Sequence, residues 1–379
     1  MRKADNTPWR NAFELAPDGV YLDCARQSPR LRALQAAGHA FVEHGAALSG
    51  PSLAQYLARA ETVRARAASL MGSAPSSVAL MPSVAYAISL AARSLFHPSR
   101  GQVLLMAGEH PSARLPWNAG GFDVREVRCT VGTSWTQAIC EAIDQHTGVV
   151  VVSSCHWHDG AAVDLQRVAQ AARRHAAALV VDATQGLGVL DIDAAALDAD
   201  LLVAAGHKWL LGAPGLAYAC VASRHHAASA LEAQPWALAG GVDAAARADP
   251  EALPGAARFD ASGLLSSYPL AVADVALTQV ADWGIAAIRQ QLRAWQVALV
   301  AGLDAAQCGH WLAGRDSPHI TALAPGRLDT AALRAGLVAR GIHVAARGGV
   351  LRVSPYLHST PDDATRLVDA LVALAAHQA

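Results

Sequence analysis

The sequence predicts an α/β fold: a mainly parallel, helix-covered sheet followed by a smaller α+β domain. Three observations carry this. Apolar strand-like runs alternate with helical patterns across roughly 75–225. The run GVVVVSS at 148–154 is almost all β-branched, as in a strand buried on both faces. Beyond about residue 256 the texture changes to helices separated by short strands.

In chain order, residues 52–72 read as a long amphipathic helix, and 84–96 as a second that opens after Pro82-Ser83. GQVLLMAG (101–108) is a short apolar run closed by glycine, hence a buried strand. FDVREV (122–127) alternates as a strand does, and 134–144 is helical. After the strand at 148–154, DLQRVAQAARRHA (164–176) is a helix with Asp164 as N-cap. AALVVDATQG (177–186), DADLLVAAGHK (198–208) and GLAYACVAS (215–223) are further buried strands. A long helix at about 270–304 leads to short strands at 318–324, 342–346 and 349–354. A helix at 329–340 separates the first two, and a final helix fills 361–378. The expected division is an N-terminal arm (1–20), a large domain (21–257) and a linking helix with a small C-terminal domain (258–379).

Composition excludes several functions. The chain has 379 residues, 53% hydrophobic and 16% charged, enough to bury a large core. The net charge of -1 leaves no electrostatic footprint for nucleic acid or an anionic membrane. No apolar run is long enough to span a bilayer. The six cysteines are scattered without a CxxC pair, so neither a metal site nor a disulfide framework is expected. The opening MRKADNTPWRNAFEL lacks the apolar stretch of a signal peptide, so a cytoplasmic setting is expected. Lysine is almost absent: only Lys3 and Lys208 occur among 30 basic residues.

In open α/β sheets, ligands bind beyond the carboxyl ends of the strands. The polar residues there are Glu109 and His110, Cys155 to Asp159, Asp182, Thr184 and Gln185, and His207 and Lys208. Any one of them is ordinarily a strand cap; together they are less ordinary. A lysine at the end of a buried strand, between Gly206 and Trp209-Leu210-Leu211, is seldom left without a function. Desolvation lowers its pKa and readies the amine to form a Schiff base. An aldehyde cofactor explains it, and pyridoxal phosphate also needs an acid near its ring nitrogen, a place Asp182 would fill. The turn Pro82-Ser83-Val84-Ala85 before a helix offers backbone N–H groups to a phosphate.

The segment from Val149 to Ser223 resembles the fold-type I pyridoxal phosphate enzymes of the class V aminotransferase family. Cysteine desulfurases, kynureninases and isopenicillin-epimerase-like proteins belong there. VVDATQG (180–186) and, 26 positions after its Asp, GHKWLLGAPG (206–215) carry the resemblance. Weaker matches are YLDCARQSP (21–29), EHPSARLPW (109–117) and LRVSPYLHSTPDDATRLVDAL (351–371). The resemblance implies a seven-stranded-type sheet and roles residue by residue. Lys208 would be the Schiff-base lysine and later move the proton at Cα. Asp182 would pair with the pyridinium nitrogen, and Gln185 with the ring hydroxyl. His207, Ser83, Val84 and Ala85 would hold the phosphate, His110 would stack on the ring, and Trp157 would stand beside it. Arg352 would clamp the substrate carboxylate, a task suited to a planar bidentate donor. Cys24, on a segment that lines the site in relatives, would be a structural residue or a reactive thiol there. The family's dimers imply a homodimer with its site at the interface, and 258–270 is the stretch to examine.

Departures from the pattern bear on the reaction. Ala205 stands where many relatives have a serine or threonine phosphate ligand, and MPSVAYAIS (81–89) lacks the usual threonine. HVAARGGVLR (343–352) holds no cysteine where a desulfurase needs its thiol, which disfavours persulfide transfer. Transamination or elimination at Cβ by a C–S lyase is the expected reaction of an amino-acid substrate; kynureninase-like or epimerase-like activity is the alternative. A catalytically silent scaffold of the same fold is the reading from another class, and the joint presence of Lys208, Asp182, Gln185 and Arg352 opposes it. No G-x-G-x-x-G follows an early strand, which sets aside a nucleotide-binding dehydrogenase.

Overall fold

The computed structural model describes residues 9–46, 52–130 and 132–378. In chain order the elements run β1 (Val20–Tyr21), α1 (Arg32–Ala46), α2 (Leu53–Met71), β2 (Val78–Met81) and α3 (Val84–Leu90). Next come β3 (Gln102–Met106), α4 (Pro111–Ala119), β4 (Val124–Val127), α5 (Trp135–Ala142) and β5 (Thr147–Ser153). Then follow α6 (Leu165–Arg174), β6 (Ala178–Asp182), α7 (Ala194–Leu197), β7 (Leu201–Ala205), β8 (Ala217–Val221) and α8 (Gly241–Ala245). The C-terminal part has α9 (Tyr268–Trp283), α10 (Ile285–Ala305), β9 (Leu312–Gly314), β10 (Thr321–Leu323) and α11 (Thr330–Val338). It ends with β11 (Ile342–His343), β12 (Ala345–Arg347), β13 (Val350–Val353) and α12 (Pro361–Ala376).

Backbone contacts divide the chain into two units. One comprises residues 36–154 and 163–281; the other gathers the N-terminal residues to 35, residues 155–162 and those from 282 onward. Residues 258–281 thus group with the sheet, while 21–35 and 155–162 group with the C-terminal residues.

The first unit is built on a seven-stranded sheet of order β2-β8-β7-β6-β5-β3-β4. Strands β3 to β7 are parallel, and β8 runs antiparallel to both β7 and β2. Val149 to Val152 of β5 are all buried, as their β-branched run predicts; each contributes about 1.5–3 kcal/mol relative to exposure. Helix ends follow local chemistry. Ser52 and Gln55 form a capping box at the start of α2, and Gly72 closes it at φ 62°. Asp164 caps α6 by accepting from the Arg167 amide, as its sequence predicts.

The second unit holds an antiparallel sheet of order β12-β13-β10-β9 and the parallel pair β1–β11, in which Val20 faces Ile342. Leucines of α10, α11 and α12 (Leu299, Leu303, Leu337, Leu367, Leu371) pack with Leu351 and Val353 in its core.

The structure corrects the helix expected at 270–304. Gly284 stands between α9 and α10 with φ 75°, a conformation the right-handed helix does not admit. The strand expected at 342–346 is two strands, because the chain leaves β1 and joins β13 at Val344. The strands expected at 177–186 and 198–208 end at Asp182 and Ala205, so Gln185 and Lys208 lie in the turns that follow. Helices α1, α4, α7 and α8 and strands β1, β2 and β9 lack a counterpart in the sequence reading. Among the described residues no single helix is long and apolar enough to cross a membrane.

Candidate active site

Within the sheet unit, one edge collects the predicted residues. Strands β3, β5, β6 and β7 are parallel and end there together. Strand β2 reaches the same edge: Met81 and Ala205 both oppose Ala217 of the antiparallel β8. Ser83 and Lys208 therefore leave the sheet at the same level, two and three residues beyond those strand ends.

Asp182 closes β6 with its side chain buried, opposite Ser153 on one side and Val203 on the other. Its carboxylate accepts from the Thr184 amide at 2.9 Å, which fixes its orientation. The Thr184 hydroxyl accepts from the Ala205 amide at 3.2 Å and ties this turn to the end of β7. Gln185 accepts at its side-chain oxygen from the indole of the fully buried Trp209 at 2.8 Å. That bond identifies the amide's oxygen and nitrogen. Glycines let the two turns pack: a Cβ on Gly188 (φ 99°) would lie 2.5 Å from the Trp209 carbonyl, and one on Gly186 2.5 Å from Ser154 Oγ. Ser154 Oγ is buried without a partner.

Lys208 is half-buried in the turn after β7. Its carbonyl accepts from the Leu211 amide at 3.2 Å. His207 beside it has its pKa lowered to about 4, first by burial and then by the Lys208 charge, so its imidazole is neutral near pH 7. Glu109 follows β3 and is buried; it accepts from Ser153 Oγ at 2.5 Å and from the His110 amide at 2.8 Å. His110 is exposed and caps α4 by accepting from the Ser112 amide at its Nδ1. Ser83 caps α3 by accepting from the Tyr86 amide. This leaves the N–H groups of Val84 and Ala85 in the first helical turn, where amides lack intrahelical acceptors.

Trp157, Arg352 and Cys24 belong to the other unit, where Arg352 meets Trp157. Arg352 is 1% exposed. It donates from Nη1 to the Trp157 carbonyl at 2.7 Å and from Nη2 to Asp23 Oδ1 at 3.2 Å, while its buried Nε has no acceptor. Burial lowers its pKa, and the Asp23 charge opposes that shift. Asp23 also holds Arg26 at 3.0 Å through Oδ2, so one carboxylate bridges two guanidiniums. Cys24 is fully buried, and burial, with the Asp23 charge, pushes its thiol well above the ordinary value. Both effects make it a packed core residue and a poor nucleophile.

Sequence reasoning did not single out Asp23, Trp209 or Ser154. Asp23 had a signal, a lone acid inside an apolar segment; the Trp209–Gln185 bond joins side chains 24 positions apart and has none.

The sheet edge offers the Lys208 amine, the buried carboxylates of Asp182 and Glu109, a fixed amide, a buried unpaired hydroxyl and a serine-capped helix start. This donor set fits an aldehyde that also carries a protonated ring nitrogen and a phosphate. Among the described residues no group of three or more His, Cys, Asp or Glu is placed to hold a metal.

Comparison with known proteins agrees. The family model described as Aminotransferase class-V matches residues 20–366. An uncharacterized aminotransferase of Bacillus subtilis, YcbU, is 27% identical over 339 residues, 87% of each chain. Isopenicillin N epimerase of Streptomyces clavuligerus is 29% identical over 329 residues, 81% of this chain and 82% of its own. Among solved structures, the cysteine desulfurase CsdA of Escherichia coli superposes with a TM-score of 0.83 at 19% identity, covering 100% of both chains, a likeness of fold. The chain belongs to the aminotransferase class-V family, as an enzyme with pyridoxal phosphate for its cofactor.

Proposed function

We propose that the enzyme acts on an α-amino acid through Lys208, as a transaminase or a β-eliminating C–S lyase. The observation that carries this is the pairing of β6 and β7: Asp182 and Val203 are register partners, so a buried carboxylate and the Lys208 turn leave adjacent parallel strands at one edge.

When bound, pyridoxal phosphate supplies an electron sink for the substrate's Cα. The Lys208 amine would hold the aldehyde carbon and would move the proton at the substrate's Cα. Asp182, held by the Thr184 amide, keeps a proton on the ring nitrogen. Gln185, whose side-chain oxygen accepts from Trp209, would turn the nitrogen end of its amide to the ring oxygen. His207 is neutral, so it meets the phosphate as a hydrogen-bond donor and leaves the charge to be balanced by the backbone amides at Ser83–Ala85. Arg352 binds the α-carboxylate, and Trp157, whose carbonyl it holds, stands with it. A persulfide route is disfavoured because 343–352 holds no cysteine and Cys24 is buried with a raised pKa.

The test begins with colour. Purified protein absorbs in the visible, borohydride bleaches the band and fixes the cofactor on Lys208, and Lys208→Ala loses it. A colourless protein that takes up no added pyridoxal phosphate overturns the reading. A panel of amino acids assayed for keto acid, sulfide, alanine and D-isomer then separates the reactions. Keto acid without conversion of the cofactor to its pyridoxamine form marks elimination.

We also assign a cytoplasmic homodimer. The scattered cysteines support the compartment. The exposed apolar side chains Val42, Leu53 and Leu57 on α1 and α2 support the assembly. Sedimentation equilibrium tests it, and a monomer at micromolar concentration refutes it.

A further inference from the structure

The β12–β13 hairpin carries a second arginine that the reading above leaves without a task. Arg347 and Arg352 lie on its two strands, with Arg347 paired to Val350 and Arg352 to Ala345. The turn between them, Gly348-Gly349, has positive φ at both residues, and a Cβ on Gly348 would come within 3.3 Å of the His158 ring. The hairpin thus lies against the loop at 157–159, and both arginines reach Trp157. Arg352 donates to its carbonyl at 2.7 Å, and the Arg347 guanidinium lies over its indole ring at 4.8 Å.

The charges around Trp157 do not balance. Arg352 has Asp23, which is shared with Arg26. Arg347 has no ion-pair partner among the described residues. Both Nε atoms are buried without an acceptor. The remaining nearby acid, Asp159, is held by His156 at 3.0 Å. His158 adds no cation, since burial foremost, with His156 and both arginines, lowers its pKa. Two guanidiniums within electrostatic reach of one another thus have unmet donors around a single indole. One substrate carboxylate on Arg352 would leave Arg347 as it is. The indole holds the Arg347 guanidinium in place at little entropic cost and supplies no negative charge.

We propose that Arg347 is a specificity-determining residue that binds a second anionic group, so that the substrates are α-amino acids with an anionic side chain. The inference rests on the reading of Arg352 as the residue that binds the α-carboxylate. A purely structural Arg347, covering Trp157, would not discriminate between side chains.

The holoenzyme is titrated with L-aspartate, L-glutamate and L-alanine, following the visible band of the bound cofactor. The acidic amino acid that fits half-saturates at a concentration about tenfold below L-alanine. Arg347→Gln raises that concentration by about tenfold and moves L-alanine by less than about twofold. Arg352→Gln weakens all three. The proposal is overturned if L-alanine binds the wild type as well as either acidic amino acid, or if Arg347→Gln weakens all three alike. Salt gives a second measurement on the wild type, independent of whether the variant folds. Added NaCl weakens the acidic ligand more steeply than L-alanine, and equal slopes overturn the proposal. A protein with no borohydride-sensitive band would instead refute the parent reading.

Discussion

The carboxylate of Asp23 holds the buried guanidinium of Arg352 at 3.2 Å, and both side chains are at least nine-tenths buried. Removing one partner strands the other charge away from water. Asp23→Asn keeps the shape and deletes the charge, and is expected to cost about 3 kcal/mol of unfolding free energy in urea titrations. A loss below about 1 kcal/mol would mean that the pair behaves like a surface one.

Trp209 and Gln185 make a comparable neutral pair. Trp209→Phe keeps most of the ring but removes the donor to Gln185 in a fully buried setting. The expected loss is about 2 kcal/mol in urea titrations. Gln185 also loses the bond that orients its amide, so the visible absorption maximum of the bound cofactor shifts. A stability loss with an unmoved maximum would show that Gln185 does not touch the ring.

Two histidines set an acid limit. His207 and His358 both have pKa values pushed down to about 4, in each case chiefly by burial. The unfolded chain takes up these protons near pH 6.5, well before the folded one. Their contribution is therefore complete above about pH 6.5 and is lost as pH falls from there towards 4. The urea midpoint is expected to drop between about pH 7 and pH 4.5, and His358→Gln, which removes one of the two groups, to narrow that drop. An unchanged drop would place the acid sensitivity elsewhere.

Gly284 tests backbone strain in isolation. Its φ is 75°, and a Cβ there would meet nothing within 4 Å. Gly284→Ala therefore adds no clash and is expected to cost about 1–3 kcal/mol through the positive φ with extended ψ (131°) alone, read as a lowered urea midpoint. An unaltered midpoint would mean that a continuous helix can form across this position.

The sheet was legible because its strands announce themselves. The valine run of β5, the polar ends of β6 and β7, and the lone interior lysine all follow from local chemistry. Asp164 capping α6 was legible for the same reason. The break at Gly284 was missed because the apolar pattern continues on both sides of one residue, and a single glycine is weak evidence against a helix. The partners of Arg352 were not legible, since Asp23 lies 329 positions away and Trp157 195. Chain spacing says nothing about such pairings. Arg347 was passed over because its setting is defined by an indole face and by missing counter-charges, neither of which leaves a mark in the sequence.

Strand β1 pairs with β11, Val20 beside Ile342, and the Asp23–Ser354 bridge continues that zipper. On the ribosome, Val20 thus emerges 322 residues before Ile342, the residue it pairs with. This stretch is made early and committed late, because contacts of such sequence separation form late. Val20 and Leu22, fully buried in the finished fold, stay uncovered until then and are the natural grip for a chaperone during translation. A stalled or prematurely terminated product would reveal itself by this unclaimed N-terminal segment, and proteolysis there would report on unfinished synthesis.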